Sequence, residues 1–145
     1  MHRFLCVAAV ALCATSVHAA EPDRFDVVCE TKMIARNLDA DGKPVTEDAE
    51  RMVEVPYSLD LAGNRWCEET NCKKGSANPF ERIESDLILI DRLDTDQMRG
   101  DVRYTRSTRI FEFSFGTKPG FAGVDIAASG PCRVEPFTGP SAPTV

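Results

Sequence analysis

Hydrophobic and polar residues alternate along much of the chain, most clearly between Val53 and Leu61. The apolar register holds Val53, Val55, Tyr57, Leu59 and Leu61. Because successive side chains of a strand leave opposite faces of the backbone, this pattern predicts a half-buried β-strand. Pro56 lacks the N–H that a central strand donates, so we place this strand at a sheet edge or at a bulge. Ala62-Gly63-Asn64 then predicts a tight turn.

Similar patterns recur before and after this strand. Arg24–Arg36 predicts a first strand with Cys29 on its core side, and Ile110–Phe115 predicts a late strand. Asp86–Asp91 is continuously apolar between its two aspartates, which indicates a strand buried on both faces near the middle of the sheet. About eight short strands and no convincing long helix predict an all-β fold. We expect a small antiparallel up-and-down barrel linked by disulfides, with a β-sandwich as the alternative.

The two ends of the chain differ from the part between them. Residues 1–19 combine a basic start, an apolar run and the small-residue pattern Val17-His18-Ala19, which predicts a secretory signal peptide. Residues 137–145 are rich in proline and poor in apolar residues, so we expect a disordered tail. A single β domain then covers residues 20–136. The predicted location is the periplasm or the extracellular space.

The charge balance narrows the choice of partners. The chain has 17 basic and 23 acidic residues and a formal charge of −6. Cleavage of the signal peptide removes Arg3 and no acidic residue, which changes the charge to −7. Binding to phosphate-rich surfaces depends on Lys and Arg, so we expect neither nucleic acid nor a membrane as partner. The negative charge favours a basic protein as partner.

Both histidines, His2 and His18, lie in the predicted signal peptide. Without imidazole the mature chain cannot use Ser-His-Asp or Cys-His activation, or a histidine metal site. We therefore predict no enzyme activity, no catalytic residue, no cofactor and no metal. A carboxylate-based hydrolase is the remaining enzymatic alternative, with crowded acids at Glu68-Glu69 or at Asp94 and Asp96. Adjacent acids point apart, whereas such catalysis needs two carboxyls facing one substrate.

Four cysteines remain in the mature chain: Cys29, Cys67, Cys72 and Cys132. An even number in an exported chain predicts disulfides, and four cysteines allow three pairings. The short gap favours a local bridge from Cys67 to Cys72. Cys29 and Cys132 would then join the first strand to the last, which must be neighbours. A four-thiolate zinc site is the alternative, but it usually takes two close pairs and only one exists here.

The segment Asn37–Asp48 resembles the opening of an EF-hand calcium loop. Oxygen-bearing side chains occupy alternate positions before Gly42. However, the preceding segment predicts a strand rather than a helix, and Asp48 is shorter than the usual bidentate Glu. Turn chemistry selects the same residues, so we interpret the segment as an acidic surface turn and keep calcium as the alternative.

Positive charge is concentrated in one region of this acidic chain, at Arg99, Arg103, Arg106 and Arg109. Neighbouring aspartates make a solvated, paired face the simpler interpretation. An anion-binding patch is the alternative.

Three phenylalanines, Phe111, Phe113 and Phe115, share one face of a predicted strand. Core packing is the simpler interpretation, and the wall of an apolar ligand cavity is the alternative. The strand layout resembles small exported β-barrels, including lysozyme inhibitors and calycin-like binders, although no family motif matches particular residues. We predict an exported, non-catalytic binding protein, in first place an inhibitor of a basic secreted enzyme. A carrier of a small apolar ligand is the alternative.

Overall fold

The computed structural model describes residues 21–139, so the predicted signal peptide and residues 140–145 of the predicted tail lie outside the described part. Its elements are β1 (Arg24–Leu38), β2 (Ala49–Asp60), β3 (Arg65–Glu68), α1 (Glu69–Lys73), β4 (Arg82–Ile83), β5 (Leu87–Asp94), β6 (Met98–Thr105), β7 (Ile110–Thr117) and β8 (Gly123–Glu135). The predicted all-β fold of about eight strands is confirmed. Within this range no helix is long and apolar enough to cross a bilayer.

All eight strands belong to one antiparallel sheet with the order β3-β2-β1-β8-β7-β6-β5-β4. The sheet curls into a half-barrel, with β1 and β8 at its centre. In the described chain the outermost strands β3 and β4 do not pair with each other. Trp66 of β3 instead exchanges backbone hydrogen bonds of 2.8 Å with Asn78, in the segment leading to β4. This contact joins the two margins of the sheet at one end only.

The strand β2 has the predicted alternation and a partly free edge. Its neighbour β3 pairs only with Tyr57–Asp60, whereas β1 pairs with β2 along nearly its whole length. No described strand covers the other side of β2 from Ala49 to Pro56. Pro56 therefore lies where β2 is an edge strand, which fits a residue that has no N–H to donate.

The apolar run of β5 is buried on both faces as predicted, because Ile88, Leu89 and Ile90 are nearly inaccessible. Its predicted place near the middle of the sheet is wrong, since β5 is next to the outermost strand β4. Leu89 pairs with Arg82 on one side and Arg103 on the other. The aliphatic stems of long arginine side chains can cover an apolar neighbour, so burial here does not require a central strand.

The hydrophobic core occupies one end of the concave side, here called the filled end. It consists of Phe25, Val27, Cys29, Tyr57, Leu59, Trp66, Phe80, Ile88, Ile90, Val102, Tyr104, Phe111 and Cys132. Tyr57 stacks on Phe111 at a ring distance of 5.4 Å, which links β2 to β7 across the curl of the sheet. The Trp66 indole N–H donates to the Pro79 carbonyl at 3.0 Å, which holds the segment before β4 against this core.

Both predicted disulfides are present. Cys29–Cys132 joins β1 to β8 with a Cα–Cα distance of 4.0 Å. Cys67–Cys72 ties β3 to α1 with a Cα–Cα distance of 5.3 Å. The first bridge therefore fixes the centre of the sheet, whereas the second fixes a short helix beside its margin.

Part of the predicted tail contacts the sheet. The backbone N–H and the hydroxyl of Thr138 both donate to Asp26 Oδ2 on β1. The side chain of Asp26 belongs to the convex face, opposite the core-facing Phe25 and Val27. Residues 137–139 thus lie along the convex side of the half-barrel.

Candidate functional site

Beyond the filled end, the concave side opens into a cleft of about 430 Å³, here called the concave cleft. Its apolar walls are formed by Tyr57, Trp66, Leu93, Val102, Phe113, Phe115 and Ile126. Its acidic side chains are Glu68 and Asp91. Asp101 also borders the cleft, but its side chain alternates with the core-facing Val102 and bonds Ser114 on the convex face. No Lys or Arg is among the described residues that line it.

Unequal strand lengths explain why this end is open. The strand β3 has only four residues, whereas β7 and β8 continue well past it to Thr117 and Gly123. Because β3 is so short, no described strand faces the part of β7 near Thr117 or the part of β8 near Gly123 across the concave side. The apolar residues on the concave side of these two strands consequently have no facing strand.

Gly100 in β6 shapes the floor of the concave cleft. It pairs with Phe115 of β7, and a Cβ at Gly100 would lie 3.0 Å from the Phe115 ring and 2.5 Å from the Ser114 carbonyl oxygen. Only glycine lets the ring lie this close to the neighbouring backbone. The position of Phe115 therefore depends on the absence of a side chain at Gly100.

The structure divides the three predicted phenylalanines between the core and the cleft. Phe111 is only 1% exposed and packs in the filled end against Tyr57. Phe113 and Phe115 are half-buried, stack on each other at 6.4 Å with nearly parallel rings, and line the concave cleft. Phe111 therefore belongs to the core, Phe113 packs against that core and also lines the cleft, and Phe115 lines the cleft. A ligand-binding role for this face stays a prediction.

Glu68 reaches the cleft because of its register. It pairs with Tyr57, whose side chain belongs to the core, so both side chains project from the concave face. The Tyr57 hydroxyl donates to Glu68 Oε1 at 3.3 Å. The neighbouring Glu69 begins α1 and forms an ion pair with Lys73 instead. The two adjacent glutamates therefore do not share a site.

A bulge in β5 brings Asp91 to the same cleft. Pairing shifts between Leu89 and Asp91, so Asp91 lies opposite Val102, which faces the core. Without this shift, regular alternation after the core residue Ile90 would turn Asp91 toward the convex side. The other acids of the predicted pairs lie elsewhere, with Asp94 in an ion pair with Lys118 and Asp96 in the β5–β6 turn.

Glu68 and Asp91 act electrostatically on the same phenol. Burial raises the pKa of Tyr57, and the negative charges of Glu68 and Asp91, together with the hydrogen bond to Glu68, raise it further. Tyr57 therefore remains a hydrogen-bond donor over the whole physiological range. Asp91 Oδ1 accepts a hydrogen bond of 2.8 Å from the backbone N–H of Arg92. Among residues 21–139, neither Glu68 nor Asp91 forms an ion pair with a Lys or Arg side chain.

A larger depression of about 560 Å³ adjoins the concave cleft and shares its Phe115 wall. It adds Arg92 and Arg99 together with Asp94 and Asp125, so its charges have both signs. The concave cleft has the more selective lining, because its charged groups are all acidic.

In the calcium-like segment Asn37–Asp48, carboxylate oxygens that would bind calcium accept hydrogen bonds from other groups of the chain. Asp39 Oδ1 accepts hydrogen bonds from the backbone N–H of Asp41 and of Lys43, at 3.0 and 2.8 Å. Asp48 receives two hydrogen bonds from Arg36, and these lower the pKa of the Asp48 carboxyl. Within residues 21–139 no three His, Cys, Asp or Glu side chains cluster as a metal site.

An internal carboxylate occupies the predicted arginine cluster. Glu21 accepts a hydrogen bond of 2.7 Å from the Tyr104 hydroxyl and lies 3.4 Å from Arg106 Nε and 3.6 Å from Arg109 Nε. Its side chain is only 7% exposed. Arg103 pairs with Asp101. Arg103, Arg106 and Arg109 are therefore engaged within the chain, whereas Arg99 lines the larger depression beside the cleft.

No protein-family model, no curated protein and no solved structure matches this chain. No function can therefore be transferred from a relative. The geometry of the concave cleft is the basis for inferring one.

Proposed function

We propose that this chain is a non-catalytic binding protein that takes a small ligand with an apolar body into the concave cleft. The observation that carries the proposal is the half-exposed aromatic pair, Phe113 and Phe115, beside an otherwise filled core. A volume of about 430 Å³ lies within the range of about 300 to 1,000 Å³ that small-molecule sites occupy. A bound apolar body would remove these rings from water, which is favourable.

Two further features support binding rather than catalysis in an exported protein. Both histidines precede residue 21, so imidazole chemistry is absent from the described part of the chain. The two disulfides are compatible with a periplasmic or extracellular location. The signal-peptide pattern at residues 1–19 is the sequence feature that supports export.

The chain carries its own reporter for a binding experiment. Trp66 is the only tryptophan and lines the concave cleft, so its fluorescence should change when a ligand enters. We expect the neutral apolar fluorophore N-phenyl-1-naphthylamine to bind saturably with Kd on the order of 1 μM. Phe115→Ala should weaken this binding about tenfold, because it removes one aromatic wall.

Phe121→Ala is the matched control. Phe121 is 40% exposed in the turn between β7 and β8 and is not part of the cleft wall. This variant should bind the fluorophore as the wild type does. Binding that is absent, or that is equally strong in Phe115→Ala, would overturn the proposed function.

Inhibition of a basic secreted enzyme is the second candidate. It rests on the charge of −7 after signal cleavage and on the accessible acids Glu68 and Asp91. It predicts salt-sensitive binding to lysozyme, a basic enzyme, with loss of lysozyme activity. Unchanged activity at an excess of this protein would remove the candidate.

A further inference from the structure

Carboxylates border one end of the concave cleft and influence which charge a ligand can carry. Of the three acidic residues that border the cleft, Asp101 turns its side chain to the convex face, where it pairs with Arg103 and accepts a hydrogen bond from Ser114. Within residues 21–139, Glu68 accepts a hydrogen bond from Tyr57 and Asp91 one from the backbone N–H of Arg92, but neither forms an ion pair with a Lys or Arg side chain. Two uncompensated carboxylates therefore border an apolar cleft whose described lining contains no Lys or Arg.

These carboxylates penalise a neutral ligand that fills the cleft. Such a ligand would displace water from Glu68 and Asp91 and give no charge or hydrogen-bond donor in return, which is costly. An anionic ligand would add repulsion. A cationic group avoids both penalties, because it pairs with the carboxylates and gains from the faces of nearby aromatic rings.

Tyr57 holds one of these carboxylates in place. Its ring is fixed between Trp66 at 5.5 Å and Phe111 at 5.4 Å, and its hydroxyl donates to Glu68. The ring positions are set by the filled end, so Glu68 is oriented before a ligand arrives. This preorganisation reduces the entropy that binding must overcome.

We propose that the concave cleft selects a small organic cation, with an ammonium or guanidinium group on an apolar or aromatic body. Glu68 and Asp91 receive the cationic group, and Phe113, Phe115 and Trp66 contact the body. This inference rests on the proposed function and specifies the ligand class of the same site.

Three ligands that share one phenylbutyl body test the charge preference: 4-phenylbutylamine, 4-phenylbutanol and 4-phenylbutyrate. Trp66 fluorescence and calorimetry report their binding to the full mature chain at neutral pH and low salt. We expect the amine to bind about tenfold more tightly than the alcohol, and the carboxylate to bind most weakly. Added salt should reduce the difference, because the acids are accessible to solvent.

Glu68→Gln and Asp91→Asn identify the groups responsible. Each variant should weaken amine binding about threefold to tenfold and should not weaken alcohol binding, because the neutral amide costs less to dehydrate than the carboxylate. Glu69→Gln and Asp96→Asn make the same charge change outside the cleft, since Glu69 pairs with Lys73 on α1 and Asp96 lies in the β5–β6 turn. Both controls should keep the wild-type preference, which separates a local effect from net charge.

Each other outcome is informative. Equal binding of amine and alcohol, or a preference that survives in both Glu68→Gln and Asp91→Asn, would overturn the cation inference and leave the proposed function standing. Failure of all three ligands and of the neutral fluorophore would overturn both. Binding of lysozyme without binding of the amine would assign the carboxylates to a protein partner and overturn the small-cation proposal.

Discussion

Asp60 shows how one buried carboxylate secures the turn between β2 and β3. It is 1% exposed and accepts hydrogen bonds from the Gly63 N–H at 2.8 Å and from Arg24 and Arg65, both at 2.9 Å. Burial alone would raise its pKa, but the hydrogen bonds from Gly63, Arg65 and Arg24 outweigh burial and lower the pKa of this carboxyl. The tight turn predicted at Ala62-Gly63-Asn64 thus depends on an acid that precedes it.

Asp60→Asn should lower the free energy of unfolding by about 2 to 3 kcal/mol at pH 7. Arg24 and Arg65 donate to different oxygens of Asp60, and the amide replaces one of these acceptors with an NH₂ donor. The folded pKa lies below the unfolded value of about 3.9, so the stabilisation is complete above that value and is lost as the pH falls through the folded pKa. Urea unfolding should therefore show the wild type and variant converging below about pH 4.

Asp41→Asn is the control for this effect, because Asp41 is exposed in the turn after β1. It should unfold like the wild type at both neutral and acidic pH. A gap between wild type and Asp60→Asn that is constant from pH 7 to pH 3 would contradict the ion-pair explanation.

At the scale of the elements, the two disulfides should differ in their contribution to stability. They close loops with sequence separations of 103 and 5 residues. On the chain-entropy account, removing Cys29–Cys132 costs about 4 to 5 kcal/mol and removing Cys67–Cys72 about 2 kcal/mol. Urea unfolding of the double Cys→Ala variants measures both, and equal losses would contradict the entropic explanation.

Gly130 in β8 should not tolerate a side chain. A Cβ there would lie 1.9 Å from the Glu30 carbonyl oxygen, in the backbone of the neighbouring strand β1. We expect Gly130→Ala to lower the free energy of unfolding by more than about 3 kcal/mol, because a backbone cannot move aside as a side chain can. Circular dichroism and thermal unfolding detect this loss, including complete failure to fold.

Gly116→Ala in β7 is the matched control for Gly130→Ala. Its Cβ would meet only the carboxylate end of Asp125, which can turn away. We expect a cost below about 1 kcal/mol. Equal stability of the two alanine variants would show that β1 and β8 do not approach each other as closely as described.

At the scale of the elements, the alternation within single strands was predictable from the sequence, whereas the order of the strands in the sheet was not. The alternation of β1, β2 and β7 follows from period-two patterns that each strand carries in its own sequence. The place of β5 was wrong because strand order depends on pairings between distant segments. The bulge before Asp91 has no local signal either, since neither Gly nor Pro lies within Leu87–Arg92.

For the whole molecule, the candidate site was only partly predictable. Register alone placed Phe113 and Phe115 on one face with Phe111. Their separation into core and cleft follows from the short length of β3 and the curl of the sheet, which no single segment encodes. The meeting of Glu68 and Asp91 has the same origin, because they come from opposite margins of the half-barrel.

The contrast between the filled end and the concave cleft yields a prediction for the whole molecule. Phe111 and Phe115 lie on one face of β7, one in the core and one in the cleft. Phe111→Ala should lower the free energy of unfolding by about 3 to 5 kcal/mol, and Phe115→Ala by only about 1 kcal/mol, because its ring is already partly in water. Urea unfolding compares the two directly.

The same pair of variants connects stability to binding. At about 100 times Kd, a ligand held in the cleft should stabilise the wild type by about 2.7 kcal/mol, whereas Phe115→Ala should gain clearly less. Phe115→Ala would thus lower the free energy of unfolding by more in the presence of ligand than in its absence. Equal costs for Phe111→Ala and Phe115→Ala without ligand would mean that the cleft is closed in solution, which would remove the basis for binding there.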